Sequence, residues 1–234
     1  MATSTGVIAK AIAGAVLAAG LAWSTWQVHP HVRRPYLYDN LYLPSGKFVE
    51  QASLGYRQLA ADLTWFSAVQ YYGGYRKEYH DLAYFEGLID IVTDLDPHFV
   101  FPYVFGAVVL SQDMESLDGA IDLLKKGMAN NPTDWHLPFE TGFLYYLDAH
   151  DPEMAARYFD LASRLPGSGD RAKRFAAFVY SQSGHTETSI RMWEELIKQT
   201  DEPYMRDLAR HYIDKLRAEE ARRKGRREAG DGGV

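Results

Sequence analysis

One recurrence constrains this chain more than anything else in it. Ala120, Leu124, Gly127 and Pro132 are spaced +4, +3 and +5. Ala155, Phe159, Ala162 and Pro166 are spaced +4, +3 and +4, and Ser189, Trp193 and Leu196 repeat +4 and +3. The three starts lie 35 and 34 residues apart. Positions four and three apart share one face of a helix, so the first two sets are small-large-small stripes on a helix, and the third keeps the spacing with Leu196 in the last place. Proline ends such a helix and biases the residue before it away from the α conformation, which is how Asp96-Pro97, Asn131-Pro132 and Leu165-Pro166 read. A period of this length means that each unit buries its apolar face only against the next one.

The helices that precede these stripes also repeat. Phe99-Val-Phe-Pro-Tyr-Val-Phe-Gly106 matches Trp135-His-Leu-Pro-Phe-Glu-Thr-Gly142, 36 residues later, and Tyr145 follows Gly142 by three. On these residues the chain resembles the tetratricopeptide-repeat family over roughly residues 48 to 216. The resemblance implies an all-α fold, a solenoid of helical hairpins in which Gly106 and Gly142 sit where two helices cross closely. Helices are expected at 48–72, 80–95, 99–112, 117–130, 135–148, 152–164, 170–183, 186–199 and 203–224. The usual Trp is absent from most repeats, and Ser189 stands where Ala is usual. The opening Ser53 to Tyr72, with its Ala-Asp-Leu-Thr-Trp and Gln-Tyr-Tyr, is similar to a group of bacterial membrane-anchored proteins of this family. Asp62, Trp65 and Gln70 lie there on a helix expected to be mostly buried, Asp62 capping or bonding a neighbouring helix, or else docking a partner.

Ahead of the repeats, Ala11 to Val28 carries no charge over 18 residues. As a helix it spans about 27 Å, enough for the hydrocarbon core of a bilayer. Trp23 and Trp26 near its far end suit the membrane interface, and Gly14 and Ala18 have the spacing that lets two helices approach. The organisation expected is therefore a tail at 1–10, a single transmembrane anchor at 11–28, an extended linker at 29–47, the solenoid at 48–216, and a basic helix end fraying at Gly225 into a disordered tail at 217–234. Two other readings of the first segment stand beside the anchor: a cleaved signal peptide ending near Gly20-Leu21-Ala22, and a buried soluble helix. A short N-terminal tail staying in the cytoplasm favours the periplasm over the cytoplasm for the body, on a bacterial inner membrane, although the basic residues on the two sides of the segment do not settle the orientation.

Residues 35–216 hold 16 basic and 27 acidic side chains, a net −11, whereas residues 217–234 are net positive. An acidic body argues against a nucleic-acid partner, which needs a basic stripe to displace counterions from phosphates. With no cysteine, disulfides, thiolate metal sites and a Cys nucleophile are excluded. The chain holds no GxGxxG, P-loop, GxSxG or HExxH pattern. Ser181 to His185 places Ser near His in a turn, and His29-Pro30-His31 reads as a linker. Asp94, Asp96, Asp201 and Glu202 sit at helix ends, where carboxylates cap. We therefore expect no catalytic residue, no cofactor, no metal and no small-molecule substrate.

What remains is a binding surface. Tyrosine supplies amphipathic contact area at low entropic cost, and Tyr71, Tyr72, Tyr75, Tyr103, Tyr145 and Tyr146 are the candidate contacts for a partner protein. The reading is a non-catalytic, membrane-anchored scaffold or assembly factor that holds a subunit of a membrane or envelope complex. The alternative is a permanent subunit of such a complex, of respiratory, photosynthetic or secretion type.

Overall fold

The computed structural model describes Trp23, Val49 and residues 53–231, with side chains through Arg226. The chain divides into two units, Met1–Tyr42 and Leu43–Val234. In the first, Trp23 is helical and exposed; Gly14, Ala18, Trp26 and the rest of the expected anchor lie outside the described residues, as does the whole of the expected linker at 29–47. Among the described residues no helix is long and apolar enough to cross a membrane.

The second unit is all-helical among the described residues. Its elements are α1 (Arg57–Tyr75), α2 (Phe85–Leu95), α3 (Val100–Gln112), α4 (Leu117–Asn130) and α5 (His136–Phe143). A π-helical turn, Leu144–Asp148, prolongs α5. The series closes with α6 (Pro152–Ser163), α7 (Gly169–Gln182), α8 (Thr186–Gln199) and α9 (Pro203–Asp231). Each odd-numbered helix up to α7 packs on the next even one as a hairpin. Seven of these nine helices begin within one residue of the expected positions.

The recurring triads are the reason. Ala120, Leu124, Ala155, Phe159 and Ala162 have no exposed surface, and Trp193 and Leu196 only 1% each. Small residues bracket Leu124 and Phe159, and Ser189 precedes Trp193, so neighbouring backbones come close enough for the large side chain to fill the gap between them. The glycines do the same from the opposite helix. A Cβ on Gly142 would lie 2.8 Å from two ring carbons of Phe159, and one on Gly106 2.8 Å from Leu123 and 2.9 Å from Ile89. Ser189 serves in place of alanine because its hydroxyl finds an acceptor: Oγ donates to the Ala177 carbonyl at 2.6 Å, fully buried, as a buried hydroxyl requires.

Polar contacts lock the hairpins to each other. Lys126 Nζ on α4 reaches Asp94 at 2.7 Å and the Thr93 hydroxyl at 2.9 Å on α2. Asn131 Nδ2 donates to the Pro97 carbonyl at 2.8 Å. The Thr200 hydroxyl at the end of α8 donates to Asp170 in the first turn of α7. Asp96 and Asp134 accept from the backbone N–H groups of His98 and His136. Asp151 caps α6, accepting from Met154 N at 2.9 Å, with Pro152 at the first position.

Three boundaries differ from expectation. The helix expected from 48 is interrupted: Val49 is helical, but Leu54 and Gly55 take positive φ values of 49° and 93° and turn the chain, and α1 starts at Arg57. The second starts at Phe85, not 80: Glu78 has φ 60°, and the Tyr79 amide bonds back to the Gly74 carbonyl. The last helix does not fray at Gly225 but continues to Asp231. Glycine costs a helix about 1 kcal/mol, a cost the flanking Arg, Lys and Glu side chains offset, Glu220 and Lys224 pairing at 3.1 Å one turn apart.

Candidate protein-binding surface

The first helices of successive hairpins, α1, α3, α5 and α7, stand in a row with α9, joined by aromatic rings. Trp65 on α1 meets Phe99, Phe101 and Phe105 edge-on at 5.5–5.9 Å. Phe175 on α7 meets Phe139 and Phe143 of α5 at 5.5 and 5.0 Å, and Phe178 meets Tyr212 of α9 at 6.1 Å. Polar groups join α3 to both neighbours. Tyr72 donates to Asp113 at 3.1 Å, and Asp113 pairs with Arg76 at 3.5 Å. Asp148 accepts from Ser111 at 2.5 Å and from Gln112 at 3.0 Å.

The Asp148 contacts depend on the π turn. The Ala149 amide bonds to the Leu144 carbonyl five residues back, and the Asp151 amide to Tyr145. At the end of this wider turn Asp148 meets Ser111 and Gln112 of α3, and Leu147 within it is exposed. Nothing in the spacing of residues 135–148 announces that wider turn.

The six candidate tyrosines divide. Tyr71 and Tyr103 are core, not contact surface. Tyr71 is 1% exposed, stacked on His80 at 4.1 Å. Tyr103 has no exposed surface; its hydroxyl donates toward the Pro97 carbonyl at 3.2 Å, and its ring fills the space beside Gly127. Burial raises the phenol pKa of both. Tyr72, Tyr75, Tyr145 and Tyr146 are all half-buried; Tyr72 packs on Phe105 at 5.2 Å and Tyr145 stacks on Tyr158 at 5.3 Å. Asp62 and Gln70, expected inside, are exposed, whereas Trp65 is half-buried in the α1–α3 aromatic contact.

Sequence reasoning missed the most exposed apolar side chains of the row on α3 and the π turn, Phe101 at 58% and Leu147 at 57%. It also missed Glu140 on α5, a half-buried carboxyl beside Phe139. Burial raises the Glu140 pKa, and the charges of His136 and Arg171 only partly oppose this. Further along, Arg174, Phe175, Phe178, Leu208 and Tyr212 line a slot of about 260 Å³ floored by Trp193. The Trp193 indole N–H is buried there without an acceptor.

Other clusters offer less. A polar groove between α6, α7 and α8 is lined by groups that satisfy one another: Arg164 with Asp160 at 2.7 Å and Lys173 with Glu195 at 3.2 Å. Ser183 Oγ lies 3.2 Å from His185 Nδ1 in the turn after α7, but it is also bonded to the Val179 carbonyl. The described residues hold no group of three side chains able to bind a metal ion.

No family model matches the chain, and no curated protein does. Solved structures do resemble it. MamA is 18% identical over 65% of this chain and 95% of that one, with a TM-score of 0.40. TTC0263, described as a thermophilic TPR protein of Thermus thermophilus, is 16% identical over 70% of this chain and 94% of that one, at 0.41. Yeast Tom70 is 14% identical over 75% of this chain and 43% of that one, at 0.32. All three likenesses are distant, and none of them says what this chain does.

Proposed function

We propose that this chain is a non-catalytic, membrane-anchored scaffold of tetratricopeptide type, whose row of first helices holds a partner protein belonging to a membrane or envelope complex. The observation that carries the reading is the composition of that row. It exposes Phe101, Val108 and Leu147, carries the half-buried Tyr72 and Tyr75 on α1 and Tyr145 and Tyr146 on the π turn, and places no Lys or Arg on α3, α5 or the π turn. Apolar and tyrosine side chains together are what binding surfaces concentrate. The acidic body draws in a partner with basic or polar groups, and residues 11–28 keep the surface at the bilayer, with the body on the periplasmic side.

The test is site-specific photo-crosslinking in living cells. A photoreactive phenylalanine is placed at Phe101 or Leu147, and in a control at Leu161, which is exposed on α6. The expected result is one shared adduct at Phe101 and Leu147, absent at Leu161 and recovered in the membrane fraction. Adducts equally frequent at all three positions would sink the partner surface. A body that fractionates with membranes after deletion of residues 1–28 would sink the anchor.

A further inference from the structure

The helix α1 is apolar on two faces, and among the described residues only one is covered. Ala61, Ala68 and Tyr71 are buried against the rest of the hairpin stack, and Trp65 and Tyr72 turn toward α3. On the opposite side Tyr56, Leu59, Leu63 and Phe66 are 71%, 57%, 60% and 62% exposed, with Val69 flanking them at 40%. The first four positions, continued by Gln70 and Gly73, are spaced +3, +4, +3, +4 and +3. That is the alternation of a helix that packs lengthwise on another helix. A terminal unit of a helical stack ordinarily turns a polar face outward; this one turns out a continuous apolar seam. Its five apolar side chains expose roughly 500 Å², at the upper end of what the largest patch on a monomer usually reaches.

We propose that this seam pairs with the same seam of a second copy of the chain, antiparallel, joining two hairpin stacks at their α1 ends. The seam is self-complementary in that orientation. A two-fold axis between Leu63 and Phe66 sets Leu63 against the second copy's Phe66, Leu59 against its Gln70, and Tyr56 against its Gly73. A side chain at Gly73 would meet nothing of its own chain within 4 Å, so the largest group of the seam falls on its one gap. In the parallel orientation Phe66 meets Phe66 and Gly73 meets Gly73, which crowds one layer and empties another. Antiparallel helices also oppose their dipoles favourably. The area suffices: two copies of the apolar seam bury roughly 1,000 Å², and the flanking Asp62, Ser67 and Gln70 bring the total to about 1,300 Å², inside the range of specific interfaces. None of the six seam positions from Tyr56 to Gly73 is charged.

The chain's lack of cysteine makes the geometry directly testable. Full-length Leu63→Cys and Phe66→Cys are purified separately in mild detergent, mixed and oxidised. The proposal expects the mixed 63–66 disulfide to form at least tenfold faster than any cross-link of Leu161→Cys, and faster than 63–63 or 66–66. Sedimentation should give a dimer for the parent chain. For Leu63→Glu its dissociation constant should rise at least tenfold while the helical circular dichroism stays unchanged. A parent chain that is monomeric at about 100 μM, or cross-links no faster than the Leu161→Cys background, overturns the proposal. So does a dimer indifferent to Leu63→Glu, which would arise from another surface. Should Leu63→Glu fail to fold, the two cysteine variants decide alone.

Discussion

Replacing Gly142 with alanine tests how closely α5 and α6 cross. In an ordinary helix the change is stabilising by about 1 kcal/mol, since alanine gives up less backbone freedom on folding. Here the added Cβ falls 2.8 Å from Cδ1 and Cε1 of Phe159 and 3.1 Å from its Cγ. The ring cannot swing aside: it has no exposed surface and is boxed by Phe139, Phe143 and Phe175 at 5.4, 5.1 and 5.5 Å. Overpacking of this kind costs about 1–3 kcal/mol. The helix gain offsets part of that, leaving a net loss of about 1 kcal/mol, or roughly 2–4 °C in melting temperature for a domain of this size. Gly225→Ala in α9 is the control, because nothing lies within 4 Å of its Cβ position; it should be neutral or stabilising by up to about 1 kcal/mol. Urea melts of both, with Phe159→Leu added to Gly142→Ala, make a cycle in which the smaller side chain recovers part of the loss. A Gly142→Ala chain as stable as the parent, or a control that loses as much, would refute the close-crossing argument.

Three further outcomes follow from particular contacts. Burial raises the Glu140 pKa, so between the unfolded and folded values the native state holds a proton that the unfolded chain releases. Parent stability should therefore fall as pH rises through that interval, and Glu140→Gln should be the more stable chain at neutral pH, with the difference vanishing below the ordinary carboxyl range; melts from pH 3 to 8 read this. Asp151→Ala removes the cap on Met154 N and should cost about 1 kcal/mol by urea titration, with Asp151→Asn recovering most of it. Ser189→Ala loses the buried bond to the Ala177 carbonyl, worth about 1 kcal/mol, but gains helix propensity; the expected net loss is about 0.5 kcal/mol in the same titration.

Much of the architecture was legible because small-large-small spacing has one outcome. Ala155, Phe159 and Ala162 cannot be buried on a lone helix, so the helix needs a neighbour, and Gly142 sits where that neighbour must come close. The starts of α1 and α2 were less legible, because backbone turns at Leu54, Gly55 and Glu78 interrupt stretches whose side chains would tolerate a helix. The candidate surface was read only in part. A tyrosine's ring suits core and interface alike, and nothing in the order of residues separates Tyr103, bonded to the Pro97 carbonyl, from Tyr75. The seam on α1 did leave a sign: Leu59, Leu63 and Phe66 have helical spacing on a helix already apolar at Ala61 and Ala68.

By itself, then, the sequence determined the repeat period, the helical hairpins, the close crossings at glycine and the acidic charge of the body. These depend on local spacing and on the size of individual side chains, both of which are properties of the chain order. The tertiary structure alone decided which aromatic rings are core and which are surface, that Asp148 reaches back to Ser111 and Gln112 across a π turn, and that the outer face of α1 is left uncovered. Those depend on which helices become neighbours. Burial is a property of a pair of surfaces, and only the packed stack says which of them have met.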